Sequence, residues 1–306
     1  MATAALRYAS WLPDAIRQAA SADAVVIGRN AALAGPPLLE AVASLMGKHI
    51  IYDLDDAVYL PPDGRSNWLK RLLRCDWRVG FISSRALIVG VGNNELERFV
   101  SNYQKETRYW PTTIDLEAYS LRGKTDSNKL PIVGWTGSSS TANYIEPLLP
   151  LLRELQQEIP FELHIMGADF DLNGKGIKGV CIPWSPEAEI PAIQRMDIGL
   201  MPLIDSQWAR GKCSLKALQY QAVGTPAVVS DVGMNREAVL DGKTGFVVPP
   251  GEDWKVPLRR LLLDRNLRRS MGLKGREHVA KHFSGEVVAA RVAEDIKAAV
   301  GHQLGK

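Results

Sequence analysis

Short apolar runs alternate with amphipathic stretches along almost the whole chain, and this alternation restricts the fold more than any other feature. "ADAVVIGR" (22–29) reads as a buried strand ending in turn residues. "PPLLEAVASLMG" (36–47) reads as a helix closed by Gly47, and "KHIIYDLDD" (48–56) as the next strand. "ISSRALIVGVGN" (82–93) is a helix end and a strand, "ELERFVSNYQ" (95–104) a helix, and "TRYWPT" (107–112) an edge strand. The order repeats further on. "PIVGWTG" (131–137) predicts a strand, "ANYIEPLLPLLRELQQE" (142–158) a helix, and "FELHIMG" (161–167) and "VCIPWS" (180–185) strands. "EIPAIQRM" (189–196) predicts a helix and "DIGLMPL" (197–203) a strand, followed by a helix, the strands "PAVVSDV" (226–232) and "TGFVVPP" (244–250), and closing helices. Parallel neighbours need a crossover that covers the sheet, so this order predicts an α/β chain with helix-covered parallel sheets.

The 306 residues are enough for two cores. The polar, turn-rich "SLRGKTDSNKLP" (120–131) separates the two alternating blocks. The division is therefore residues 1–120, a linker at 121–130, a second domain at 131–285, and a closing helix at 286–306 packing back on the first domain. Two Rossmann-like domains with a cleft between them are expected, with ligands at the carboxyl ends of strands. A net charge of +3 without a basic run gives no nucleic-acid footprint. The three cysteines, Cys75, Cys181 and Cys213, are far apart and form no C-x-x-C pair, which fits a reduced, cytoplasmic chain without structural zinc. The N-terminal stretch lacks the pattern of a signal peptide, and no apolar run reaches roughly 18 residues.

Two stretches carry anion-binding chemistry. In "GWTGSSSTANYI" (134–145) a strand runs through a Gly/Ser/Thr loop into a helix start near Thr141. Small residues let backbone N–H groups approach an anion, and the helix start adds partial positive charge. Thr136, Gly137 and Ser138 are the candidate neutral donors, against the plain alternative of a helix cap with a flexible turn. No G-x-G follows the strand, which weighs against a dinucleotide. In "RGKCSLKALQYQAVGTPAVVSDVG" (210–233), Lys212 and Lys216 share one helical face if the helix begins near Lys212. Together with Arg210 they suit a diphosphate; the alternative is a solvated basic face.

The second half resembles a known family. "DIGLMPL", "LKALQYQAVGTPAVVSDVG" (215–233), "REAVLDGKTGFVVPPGE" (236–252) and "LLLDRNLRRSMGLKGREHVAKHFS" (261–284) follow the order and spacing of the donor domain of retaining GT-B glycosyltransferases of family 4. "VVIGRNAA" (25–32), "IIYDLDDAVY" (51–59), "ALIVGVGNNELERF" (86–99) and "WPTTIDLEAY" (110–119) resemble more loosely the acceptor-side domain, here shortened and without its first strand. The resemblance implies transfer of a sugar from a nucleotide-diphosphate sugar, such as a UDP-sugar, with no cofactor and no metal. The acceptor is expected to be a carbohydrate or lipid-linked glycan in envelope or exopolysaccharide synthesis. Peripheral association with the inner face of a membrane stays open. The family's ribose-binding Glu falls on Gln219, whose amide still hydrogen-bonds a diol. Its sugar-holding Glu falls on Gly211 or is displaced by "IDSQWA" (204–209), and its Arg and Lys after the first donor-domain strand are replaced by Trp135 and the Ser/Thr loop. Arg210, Lys212 and Lys216 are expected to take over the diphosphate charge. Trp184 falls near the base, where stacking and core packing are the two readings; Trp208 is placed to close over the sugar.

"DLDD" (53–56) resembles the Asp-x-Asp metal motif of GT-A enzymes. With the donor signal in the other domain, Asp55 and Asp56 read as cleft residues touching acceptor or sugar, or as caps. His164 reads as a core histidine, and His278 and His282 lack a third ligand. A non-catalytic nucleotide-sugar-binding or scaffold protein is the alternative function, favoured by the loss of the sugar-holding Glu; another GT-B enzyme, such as an epimerase or phosphorylase, is a third.

Overall fold

The central apolar runs, Ile132–Thr136 and Ile198–Met201, become strands buried on both faces, as a helix-covered parallel sheet requires, while Val26 and Val180 on other strands stay exposed. The structure, a computed structural model, describes residues 2–29, 36–60, 77–121, 123 and 130–304. The linker assigned to 121–130, apart from Leu121, Gly123 and Leu130, lies outside the described residues, as do Cys75 and the end of the 25–32 stretch. The chain forms two compact units. Unit 1 comprises Met1–Thr112, Ser206–Cys213 and Val288–Lys306; unit 2 comprises Thr113–Asp205 and Ser214–Val287.

Unit 1 begins with α1 (Ala2–Ser21), β1 (Ala24–Gly28), α2 (Leu38–Leu45), β2 (His49–Leu54), α3 (Arg78–Arg85), β3 (Ala86–Val91), α4 (Asn94–Val100) and β4 (Thr107–Tyr109). The described strands form one parallel sheet in the order β1-β2-β3-β4, with Val26 opposite Ile51 and Ile51 opposite Ile88. β4 lies at the sheet edge, as its short run with a following proline predicts. Ile51, Ile88 and Trp110 form a cluster that Val292, Ile296 and Ala299 cover. The Trp110 indole N–H, 2.8 Å from an Asp295 carboxylate oxygen, pins that cover in place.

Unit 2 carries β5 (Ile132–Thr136), α5 (Ala142–Ile145), α6 (Leu149–Glu158), β6 (Glu162–Met166), β7 (Gly179–Ile182), α7 (Pro186–Arg195) and β8 (Ile198–Met201). The short α8 (Gln207–Arg210) belongs to unit 1. Unit 2 resumes with α9 (Leu215–Ala222), β9 (Ala227–Ser230), α10 (Asn235–Ala238), β10 (Gly245–Val248), α11 (Lys255–Leu263) and α12 (Arg265–His282). From Val288 onward, α13 (Gly285–Leu304) is part of unit 1. The sheet of unit 2 is parallel throughout, in the order β10-β9-β8-β5-β6-β7. Val133, Trp135, Ile165, Leu200 and Val228 lie in its core, which α6 and α11 cover with Leu152, Leu155, Leu258 and Leu261.

Two expectations about helices change. The helix expected over 142–158 divides into α5, a 3-10 turn over Glu146–Leu148, and α6. Pro147 and Pro150 each remove a backbone N–H, so one continuous α-ladder cannot form there. The helix expected to begin near Lys212 begins at Leu215. Ser214 stands before it in the left-handed region, at φ 55, which interrupts any helix running in from Lys212.

Candidate functional site

In unit 2 the site forms at the carboxyl ends of the strands, around the Trp135 indole. Trp135, the residue before the last of β5, is fully buried, and the Lys216 ammonium lies 4.5 Å from its ring centre. Such a cation–π contact holds a cation in place. The next turn sits on the same indole: a Cβ built at Gly137 would come within 2.2 Å of the ring. Gly167, after β6, closes on that turn with φ +81, and its missing side chain leaves room for the Gly137 carbonyl at 1.9 Å from a built Cβ. Glycine is required here both for the backbone angle and for the approach. Trp184 borders the same glycine.

A hydrogen-bonded chain closes the other side. The Gln219 amide, on α9 one turn beyond Lys216, donates to the Tyr119 hydroxyl at 2.6 Å. Tyr119 donates to one Glu189 oxygen at 3.0 Å, and the Trp184 indole N–H donates to the other at 3.1 Å. Tyr119 is held by Arg276, whose guanidinium donates to the carbonyls of Tyr119, Ala222 and Leu116. Burial pushes the Tyr119 phenol up to about 12, so it remains a donor at neutral pH. Trp184 is 53% exposed, which removes the core-packing alternative and leaves an indole face at the surface.

Unit 2 therefore gathers Gly137, Ser138, Lys216, Trp184 and Gln219. It does not leave all expected donors open. The Thr136 N–H donates to the Tyr220 hydroxyl at 2.9 Å, and Thr136 Oγ1 lies 3.2 Å from the same oxygen. The Gly137 N–H continues the sheet ladder to the Met166 carbonyl. Both residues spend their N–H donors inside the unit, because β5 remains paired through its last residue. The hydroxyls of Ser138 and Ser140 bond each other at 2.8 Å at the surface, while Ser138 and Thr141 form a capping box. Of this loop, the serine turn is the part that lies at the surface.

Arg210 and Lys212 do not share a compact unit with Lys216, contrary to the single helical face expected of Lys212 and Lys216. They lie on the Ser206–Cys213 segment of unit 1. The Asn93 amide donates to the backbone carbonyls of Arg210 and Lys212, at 3.4 and 3.2 Å. The Lys212 ammonium stands 5.1 Å from the centre of the Trp208 ring, so Trp208 is a platform for that cation. Gly211 abuts Ala57, with a built Cβ 2.4 Å from the Ala57 methyl, and there is no room for the family's glutamate side chain.

The acidic stretch of unit 1 is partly answered. Arg29, at φ 54 after β1, grips both carboxylate oxygens of Asp55, one of them at 2.6 Å. The guanidinium therefore occupies the charge position that a metal ion on Asp55 would take. Asp56 accepts from the adjacent Ala57 N–H at 2.9 Å. Its carboxyl is raised by burial, with Lys212 acting against the rise. Asp53 is raised to about 6, by burial first and the Asp55 charge second. Cys213, buried against Gly92 and raised to about 12, stays a thiol.

His164 is buried beside Glu162 and lowered by desolvation, a core histidine. His278 bonds the Glu237 carbonyl at 2.9 Å. Among the described residues no three potential metal ligands come together. No described helix is long and apolar enough to cross a membrane. Sequence reasoning passed over Arg29, Tyr119, Glu189, Tyr220 and Arg276. Tyr119 and Arg29 stood inside stretches that resemble the family, but no spacing signal linked them to their partners.

A family model described as glycosyl transferases group 1 matches residues 131–264. The chain is 26% identical over 251 residues to a D-inositol 3-phosphate glycosyltransferase of Paenarthrobacter aurescens, covering 73% of this chain and 60% of that protein. It is 35% identical over 120 residues to the enzyme of the same name from Nocardia farcinica, covering 39% and 25%. The chain thus matches less than two thirds of the length of these relatives. Sucrose-phosphate synthase from Thermosynechococcus elongatus superposes with a TM-score of 0.70 at 17% identity, over 96% of this chain and 79% of that one. Anabaena HepE in complex with UDP superposes with a TM-score of 0.71 at 15% identity, over 94% and 82%. Residues 131–264 inside unit 2 thus match a group 1 glycosyl transferase domain, and the chain, with a parallel, Rossmann-like sheet in each unit, shares the fold of these solved structures.

Proposed function

We propose that this chain transfers a sugar from a nucleotide-diphosphate sugar to an acceptor hydroxyl, with retention of configuration and without a metal ion. The observation that carries the reading is the half-buried Lys216 ammonium held over Trp135 beside the serine turn, at the strand ends of the group 1 domain. A fixed cation next to hydroxyl and helix-start donors stabilises a diphosphate both bound and as a leaving group. Trp184 offers an exposed face for the base, and Gln219 a carbonyl oxygen for the ribose. Asp55 and Asp56 are the candidates to meet the acceptor from unit 1. The UDP complex of the HepE neighbour supports a uridine nucleotide as the first to test. The resemblance supports an envelope or exopolysaccharide glycan as the acceptor.

The test is calorimetric titration with UDP, GDP and ADP in the absence of divalent cations, on the wild type and Lys216→Ala. Saturable binding of one nucleotide, weakened at least about tenfold in the variant, is expected. Equal affinity in the two proteins refutes the role of Lys216, and no binding refutes the transferase reading. The closed space at Gly211 favours a second reading, a nucleotide-sugar-binding protein without turnover. Tight nucleotide binding with no release of UDP from any UDP-sugar would select it.

A further inference from the structure

Unit 1 holds a concavity whose lining does not include Arg29, Asp55 or Asp56. Its volume is about 530 Å³, within the range of small-molecule sites. Tyr59, Trp77, Phe99 and Tyr103 line it with Glu95 and Arg98. The Tyr59 and Phe99 rings stack at 3.6 Å, 6° from parallel, and Tyr103 leans on Phe99 at 5.4 Å. Trp77 and Tyr103 are 55% and 48% exposed. Large aromatics left open around a hollow are costly in water and mark a surface that something else covers.

The polar lining narrows what that is. Glu95 and Arg98 sit side by side, their ion pair at 2.7 Å, on the first two turns of α4. The Arg98 side chain is largely in water. A carboxylate next to a guanidinium presents acceptors and donors a few ångströms apart, the pattern that pairs with adjacent hydroxyl groups. A pyranose ring has one apolar C–H face and an edge of adjacent hydroxyls, and so matches both halves of this lining. A hydrocarbon chain would strand the ion pair; a phosphate would face Glu95. The hollow also adjoins the acidic stretch, since the Tyr59 phenol is raised by burial and then by the Glu95 and Asp56 carboxylates.

From these contacts we infer that the aromatic hollow of unit 1 is a subsite for one pyranose unit of the acceptor, stacked on Trp77 and Tyr103 and held at its hydroxyl edge by Glu95 and Arg98. The inference rests on the proposed transferase reading for the word acceptor, and on unit 1 alone for the subsite. It assigns the acceptor a carbohydrate part.

The test is binding of methyl glycosides of glucose, galactose, mannose and N-acetylglucosamine to the full chain, followed by tryptophan fluorescence and ligand-observed NMR. The same proteins are titrated with UDP. At least one glycoside is expected to saturate the wild type and to bind about tenfold more weakly to Trp77→Ala and to Arg98→Ala. UDP affinity is expected to be unchanged in both, and a circular dichroism spectrum and melting transition like those of the wild type show that they fold. Glycoside binding unaffected by both substitutions overturns the inference, as does the absence of binding by every glycoside at tens of millimolar. UDP affinity lost with Trp77 would show a nucleotide in the hollow and overturn it as well. UDP binding without glycoside binding defeats the subsite alone; glycoside binding without any nucleotide defeats the transferase reading and leaves the subsite standing.

Discussion

Tyr220→Phe removes one oxygen from the centre of unit 2. That hydroxyl is fully enclosed, accepts from the Thr136 N–H at 2.9 Å and donates to the Leu200 carbonyl at 3.2 Å, so it ties the end of β5 to β8. The ring itself is locked by Gly199, where a built Cβ would stand 2.3 Å from it, and phenylalanine fills the same space. The variant therefore deletes hydrogen bonds without opening a cavity of carbon size. It leaves the Thr136 N–H, 3% exposed, with no partner and no water. An orphaned buried donor costs about 1–3 kcal/mol, and a value of about 2 kcal/mol is expected here. For a unit of about 150–250 residues this lowers the melting temperature by about 4–8 °C. Burial pushes the Tyr220 phenol up to about 12, so the effect should not vary across neutral pH. Thermal unfolding followed by circular dichroism measures it, with Thr136→Val as control, since that change keeps the N–H bond and should cost less. A Tyr220→Phe protein melting within about 1 °C of the wild type would refute the assignment of this hydroxyl as the tie.

Asp53 binds its proton more tightly folded, at about 6, than at its ordinary 3.8. Its charge therefore opposes folding above about pH 6, and the burden fades as pH falls toward 4. Asp53→Asn should raise the melting temperature at about pH 8, with the gain vanishing near pH 4; a gain that is constant with pH refutes this. Asp55→Asn breaks an exposed pair with Arg29 and should cost no more than about 1 kcal/mol in urea unfolding. If Asp55 meets the acceptor, its loss should lower turnover far more than stability, and a parallel loss of both would argue for a structural role only. Trp184→Ala should leave stability within about 0.5 kcal/mol and weaken nucleotide binding several-fold, while Trp184→Phe retains most of it. Equal nucleotide affinity in all three proteins would exclude base stacking.

The sequence by itself determined the elements and their class. Strand runs such as 48–56 and 226–232 carry their periodicity locally, Gly47 ends its helix through its own backbone freedom, and parallel pairing follows from the alternation. Spacing and resemblance also made Lys216 a candidate for the diphosphate, Gln219 for the ribose and Trp184 for the base. Which of these residues meet was decided only by tertiary structure. Ser214 in a left-handed conformation starts the helix beyond Lys212, and Arg210 and Lys212 belong to one compact unit and Lys216 to the other. Pairing of β5 through its final residue consumed the donors of Thr136 and Gly137. The chain from Gln219 through Tyr119 to Glu189 and Trp184 joins residues up to 100 positions apart. A hydrogen bond acts over about 3 Å of space and is indifferent to separation along the chain. Periodicity reports which face a residue turns inward; only packing determines what waits for it there.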